Sequence, residues 1–237
     1  MGMQDFYKDR IRFLIKYLFV LLVSSCIIIQ VQWLEEIQNQ IQICKKMESE
    51  CSVKEVRNLL REMECFPVRE DVTGRESCYF ENGYGVPRTY GGERSHEGID
   101  IMSSKDEPGY FQIQSVSDGV IEQIGWLPLG GYRIGIRSES GFYYYYAHMD
   151  TYAEGMKVGK KVVSGEILGT MGNTGYGEEG TKGKFAVHLH FGIYRQVKGK
   201  EKSLNPYYLL EVTYGNKIME GTVSTISTCG RRAGSEI

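Results

Sequence analysis

Each of the 4 histidines in this 237-residue chain stands in a local pattern suited to metal or acid–base chemistry. In chain order the patterns are His96-x-x-x-Asp100, Tyr146-Ala147-His148-Met149 and His188-x-His190. His188 and His190 lie in an apolar run that reads as a strand, where residues i and i+2 project from one face and Leu189 from the other. Two imidazoles therefore meet one cleft. His96 and Asp100 occur in Gly-Gly-Glu-Arg-Ser-His-Glu-Gly-Ile-Asp-Ile, a turn leading into a strand, and histidine with carboxylate is a ligand set that zinc accepts readily. Three protein ligands leave one position for water, whose pKa on the metal falls to about 7, so the expected chemistry is metal-assisted hydrolysis.

Other readings of the same residues are weaker. His96-Glu97 invites comparison with the helical His-Glu-x-x-His zinc motif, but Asp100 holds the second histidine's position, and Gly98 with β-branched Ile99 opposes a helix. Taken singly, a histidine in a strand is more often an ordinary, partly buried residue; the combination carries the reading. The six cysteines, Cys26, Cys44, Cys51, Cys65, Cys78 and Cys229, contain no CxxC pair, which excludes a thiolate zinc site of the usual spacing. In an exported protein Cys65 and Cys78 are spaced to pair across a short loop, and free thiols are equally allowed. With 28 Lys+Arg against 30 Asp+Glu the formal net charge is -2, so no global field draws the chain to nucleic acid, and no nucleic-acid partner is expected.

The elements that must position these residues are strands. After Pro67 the chain breaks into short period-two runs separated by Gly-containing turns: 99–102, 112–116, 120–124, 132–137, 142–147, 166–171 and 187–194. That spacing predicts an antiparallel sandwich or barrel over 66–211, closing near Asn205-Pro206-Tyr207. A tail over 212–237, rich in Gly, Ser and Thr, is expected to be weakly ordered.

The N-terminal part is different. Phe13 to Val31 is almost wholly apolar and follows Lys8, Arg10 and Arg12. Its uncharged core, Tyr17 to Ile29, falls between the about 20 residues of a spanning helix and the about 7 to 15 of a signal-peptide core. Ser24, Ser25 and Cys26 are small enough for cleavage, and Val23 to Cys26 loosely resembles a lipoprotein box, but Ile27, Ile28 and Ile29 continue the apolar run. The expectation is an uncleaved membrane anchor over 13–31, with 1–12 cytoplasmic and everything from Trp33 onward outside the cell. Leu34, Ile37, Ile41, Cys44, Cys51, Leu59 and Met63 then recur at three- and four-residue steps, an amphipathic helical stalk over 32–65. Unbroken, it would reach about 50 Å at 1.5 Å per residue, and its stripe could dimerise or pack on the domain. Phe66-Pro67 ends it.

From Phe66 to Leu210 the chain resembles the lysostaphin-type or LytM-type zinc endopeptidases, bacterial peptidoglycan hydrolases. Their hallmarks are H-x-x-x-D, a histidine after a Tyr-Ala pair, and H-x-H. The match includes Phe66-Pro67-Val68, Asp118-Gly119-Val120, Gly130-Gly131, Val158-Gly159 to Gly165, Gly172-Asn173-Thr174-Gly175 and Asn205-Pro206-Tyr207. The resemblance implies that His96, Asp100 and His190 bind one zinc ion while His148 and His188 are the catalytic pair. It implies a mainly β fold, a two-sheet antiparallel LytM-like domain of duplicated hybrid motif, with the site in a groove between loops. It also implies a peptidoglycan peptide as substrate.

Two departures flank that groove: Met149-Asp150 replaces the usual Leu-Ser, and Gly177 to Lys184 is longer and more charged than the common version. A rival is a non-catalytic LytM-like scaffold or regulator of the cell-wall or sporulation machinery. Such proteins usually lack ligands, and none is missing here. A sugar-phosphotransfer domain shares a similar β topology and a pair of histidines, but has no need of Asp100 or of an export segment.

Overall fold

A computed structural model describes residues 3–47, 49–69, 71 and 73–223. The chain divides into two compact units between Lys46 and Met47. The first is essentially one helix, α1 (Met3–Met47). It contains the stretch long and apolar enough to cross a membrane, and side chains from Phe13 to Val31 stand exposed along it. A signal sequence near an N-terminus has the same composition.

The second unit begins with a new helix, α2 (Val53–Glu62). The helical periodicity from Trp33 to Cys65 is thus divided between two helices. The cause is local: Ser52 caps α2, its Oγ accepting from the Glu55 amide and its own amide donating to the Glu55 carboxylate at 2.9 Å. That capping box starts a helix afresh. Val56 and Leu59 are fully buried, so α2 packs into the domain core.

The strands are β1 (Cys78–Phe80), β2 (Pro87–Arg88), β3 (Arg94–Ser95), β4 (Ile99–Ser103), β5 (Gln112–Gln114), β6 (Gly119–Leu127), β7 (Gly131–Arg137), β8 (Tyr143–Tyr152), β9 (Lys161–Val162), β10 (Ile167–Met171), β11 (His188–Val197) and β12 (Lys200–Leu204). Strands β2 and β3 form a separate ladder; the others make one branched antiparallel sheet, ordered β1-β4-β11-β8-β7-β6-β9 along its main path. A single sheet serves where two were expected because β8 changes partners along its length. Tyr143 to Ala147 pair with β11, whereas Met149, Thr151 and Tyr152 pair with β10, which carries β5. The change falls at His148, whose φ of 62° is left-handed.

Alternation along the strands separates core from groove. Ile99 and Ile101, Ile134 and Ile136, Tyr144 and Tyr146, and Leu189, Phe191 and Ile193 are fully buried on one face. The two core phenols are satisfied: Tyr146 accepts from the Val116 amide at 2.9 Å and Tyr144 donates to Glu62 at 3.0 Å. The Cys65 thiol donates to the Ser115 carbonyl at 3.2 Å. Beyond residue 211, where a weakly ordered tail was expected, helix α3 (Tyr207–Val223) continues. Buried Thr213 and the Tyr214 ring, 5.0 Å from Phe66, tie its first half to the domain. Residues 224–237, including Cys229, lie outside the described residues.

Candidate metal centre and histidine cluster

Strands β4 and β11 pair with His190 opposite Asp100, and β11 pairs with β8 with His190 opposite Ala147, beside His148. The turn before β4 brings in His96. Two segments remote in sequence thus become neighbours: His96 Nε2, Asp100 Oδ1 and His190 Nδ1 lie 3.0 Å from one another on all three sides. These residues could hold a metal ion.

The hydrogen bonds behind the rings fix which atoms face inward. His96 Nδ1–H donates to the Gly83 carbonyl, His148 Nδ1–H to Thr174 and His188 Nδ1–H to Ala186, each at 2.8 Å. With Nδ1 protonated, the Nε2 of each ring carries the lone pair. Such backbone anchoring is what orients imidazole ligands. A tetrahedral zinc with bonds of about 2.0 to 2.2 Å needs donors about 3.3 Å apart, so the observed triangle closes around it with adjustments of a few tenths of an ångström. The donor set, two imidazoles and a carboxylate with an open side, fits zinc.

His188 Nε2 lies 3.8 Å from Asp100 Oδ1, and the His148 and His188 ring centroids are 4.7 Å apart. The Phe185 ring stands 4.6 Å from His148 and 5.0 Å from His188, closing their outer side. Burial, joined by repulsion from His188 and His190, pushes His148 well below its ordinary pKa. Burial likewise lowers His188 and His190 although Asp100 pulls both up. Burial works to raise Asp100, but the close approach of the His190 and His96 rings to its carboxylate holds it far below the usual carboxylate range. A neutral imidazole pair beside an ionised carboxylate suits proton transfer next to a cation. All five side chains line one cavity of about 950 Å³.

Residues 94–206 match the family model "Peptidase family M23", a span that contains all five. The chain carries an M23 peptidase domain. The domain is similar to the L-Ala–D-Glu endopeptidase of Bacillus subtilis, 40% identical over 141 residues, covering 60% of this chain and 40% of the relative. It is also similar to the glycyl-glycine endopeptidase ALE-1 of Staphylococcus capitis, 31% identical over 132 residues, covering 52% of this chain and 33% of that one. The chain thus spans well under half of these curated relatives. A crystal structure from Ruminococcus gnavus, described as a candidate glycyl-glycine endopeptidase LytM, superposes with a TM-score of 0.64 at 44% identity, covering 69% of this chain and 65% of that chain.

Three contributors to the M23 site escaped the sequence. Arg88 on β2 donates to Asp100 Oδ2 at 2.7 Å, and no spacing rule marks it. Gly98 is required by close approach: a Cβ there would stand 2.5 Å from the Phe191 carbonyl and 2.7 Å from His190 Nε2. A glycine between His96 and Asp100 was the available signal. Phe185 was hidden in the charged loop before the H-x-H pair. Of the two departures flanking the groove, Met149 is fully buried and faces the core instead. The 177–184 loop is held by the Gly177 amide donating to Pro128 at 3.0 Å, and next to it Tyr176 stacks on Tyr90 with ring centroids 4.2 Å apart.

Proposed function

We propose that the chain is a membrane-anchored, zinc-dependent endopeptidase that hydrolyses peptide bonds in bacterial peptidoglycan. The observation that carries this reading is the triangle of His96, Asp100 and His190 donor atoms with the lone pairs of a second, neutral histidine pair beside it. His96, Asp100 and His190 hold one zinc ion; His148 and His188 act on the proton. When bound, the zinc supplies polarisation of the scissile carbonyl and a water acidic enough to serve as nucleophile near neutral pH. One of His148 and His188 takes the proton from that water and returns it to the leaving amine, and the other steadies the oxyanion. Their low basicity keeps both neutral at the start of the cycle, and Phe185 keeps bulk water from their outer side.

The apolar stretch of α1 is the anchor, with Arg10 and Arg12 on the cytoplasmic side and the M23 domain outside. The substrate class is the peptide part of the wall. The Bacillus and Staphylococcus relatives carry names that specify different bonds, L-Ala–D-Glu and glycyl-glycine. A non-catalytic scaffold has no use for five intact side chains around an open donor triangle.

The test is digestion of purified walls by the detergent-solubilised full chain, with released fragments identified by mass spectrometry. New amino termini that vanish with chelator and return with zinc are expected. A zinc-loaded chain that releases none sinks the reading.

A further inference from the structure

The cavity that holds the histidines extends across the open face of the sheet, and its charges are unevenly compensated. Asp100 is taken up by Arg88 and the histidines. Arg137 is neutralised twice, by Glu122 at 2.7 Å and Glu201 at 2.6 Å. Arg94, at the rim, directs its donors to the Tyr90 carbonyl and the Tyr176 hydroxyl.

Arg133 has no such compensation. Its Nη2 donates to the neutral Gln123 side chain at 3.1 Å, while Nε and Nη1 are closed to solvent and have no hydrogen-bond acceptor among the described residues. Among the described residues no carboxylate pairs with it. A cation whose N–H groups lack both water and acceptor costs free energy unless an anion arrives. Such an orphan in a native cavity calls for a ligand.

The sheet fixes how far that charge is from the reaction centre. Ile134 and Ile136 point into the core, so Arg133 projects to the cavity face; Ala147 and His190 do so on the next two strands. Ala147 is paired with His190, and Arg133 sits at the β7–β8 irregularity between Tyr132 and Ile134, opposite Ala147 and His148. Two strand spacings of about 4.8 Å separate the Arg133 backbone from that of His190 by about 10 Å. An extended peptide covers that distance in about three residues, and a side-chain carboxylate in fewer. Tyr145 stands on the same face between them, its ring centroid 6.0 Å from that of His190.

We propose that Arg133 is the subsite for a carboxylate of the substrate peptide, held one or two residues from the scissile bond, and that the enzyme prefers acidic peptides to uncharged glycine chains. Its long stem lets the planar fork turn to a carboxylate and pair with two N–H groups at once, as Lys could not. The proposal rests on the peptidase reading and deepens it by naming the substrate's charge.

The test uses the zinc-loaded full chain in detergent and two synthetic peptides identical except for Glu or Gln next to the scissile bond. Wild type is expected to favour the Glu peptide on the order of tenfold in kcat/KM, the scale of one charge-assisted pair. Arg133→Gln should remove that preference, chiefly through the KM of the Glu peptide; Arg133→Lys should keep part of it. Zinc content and thermal midpoint of each variant separate this from misfolding, and the wild-type ratio stands even where a variant does not fold. Equal cleavage of the two peptides by wild type overturns the carboxylate subsite while leaving the peptidase intact. Failure to cut either peptide or purified wall overturns both.

Discussion

Arg88 Nη2 donates to Asp100 Oδ2 at 2.7 Å, so the carboxylate turns its other oxygen, Oδ1, to His96 and His190. The hairpin makes this possible: Arg88 on β2 pairs with Arg94 on β3, one residue before the turn that carries His96. Removing the guanidinium frees Asp100 to rotate and also removes a repulsive charge near the metal. Because the contact is on the far oxygen, lost orientation should dominate. Arg88→Ala is expected to weaken zinc binding about 10- to 100-fold, the usual effect of losing a partner behind a ligand. Competition with a chromogenic chelator measures it, and unchanged affinity would refute the role.

His190→Ala should eliminate both bound zinc and hydrolysis, whereas His188→Ala should keep the metal and lose activity by about 10² to 10⁴, the range of general acid–base catalysis. Elemental analysis beside wall digestion distinguishes the two. If His188→Ala arrives without metal, the division of roles is wrong.

The acid limb of the pH profile should lie below 6.5. His148 and His188 must be neutral to accept a proton, and burial lowers the pKa of both. Protonation therefore sets in only as pH falls through the depressed folded values. The same shifts make the fold lose stability in that window, since the unfolded chain binds protons from about pH 6.5 downward and the folded chain does not. Phe185→Ala, which opens the outer side of both rings, should move the acid limb of kcat/KM upward. A limb that stays put would exclude Phe185 as the cause of burial.

Gly98→Ala would put a methyl 2.5 Å from the Phe191 carbonyl and 2.7 Å from His190 Nε2, so strand or ring must shift. A loss of about 1 to 3 kcal/mol in unfolding free energy is expected from overpacking, together with reduced zinc content. Denaturant melts with and without zinc read both effects.

Leu59 on α2 is fully buried, and its replacement by Ala should cost about 2 to 5 kcal/mol, as for other buried leucines. A linker-like α2 would show almost no change in a urea melt of the full chain.

The positions of the chemistry are legible in the order of the residues alone. Period-two alternation puts His188 and His190 on one face of a strand, and the three residues between His96 and Asp100 leave both near the start of the next one, because these are local geometric consequences of backbone type. Most of the strands and the apolar N-terminal helix also follow from short-range patterns. The helical period gives no warning that the stretch from Trp33 to Cys65 divides at Ser52, since periodicity records which faces are apolar and not where the axis breaks. Helix α3 is hidden from such patterns because what orders its first half is packing of Thr213 and Tyr214 against distant residues.

What tertiary structure decided was every relationship across strands. The pairing of Asp100 with His190, the partner change at His148 that allows one sheet to carry both histidine pairs, and the reach of Arg88 to Asp100 depend on register between segments up to about ninety residues apart. Sequence spacing fixes what a residue does to its neighbours within a turn or a strand; which remote side chain it meets is set by sheet order and bulges, and those are decided by the burial of the whole core.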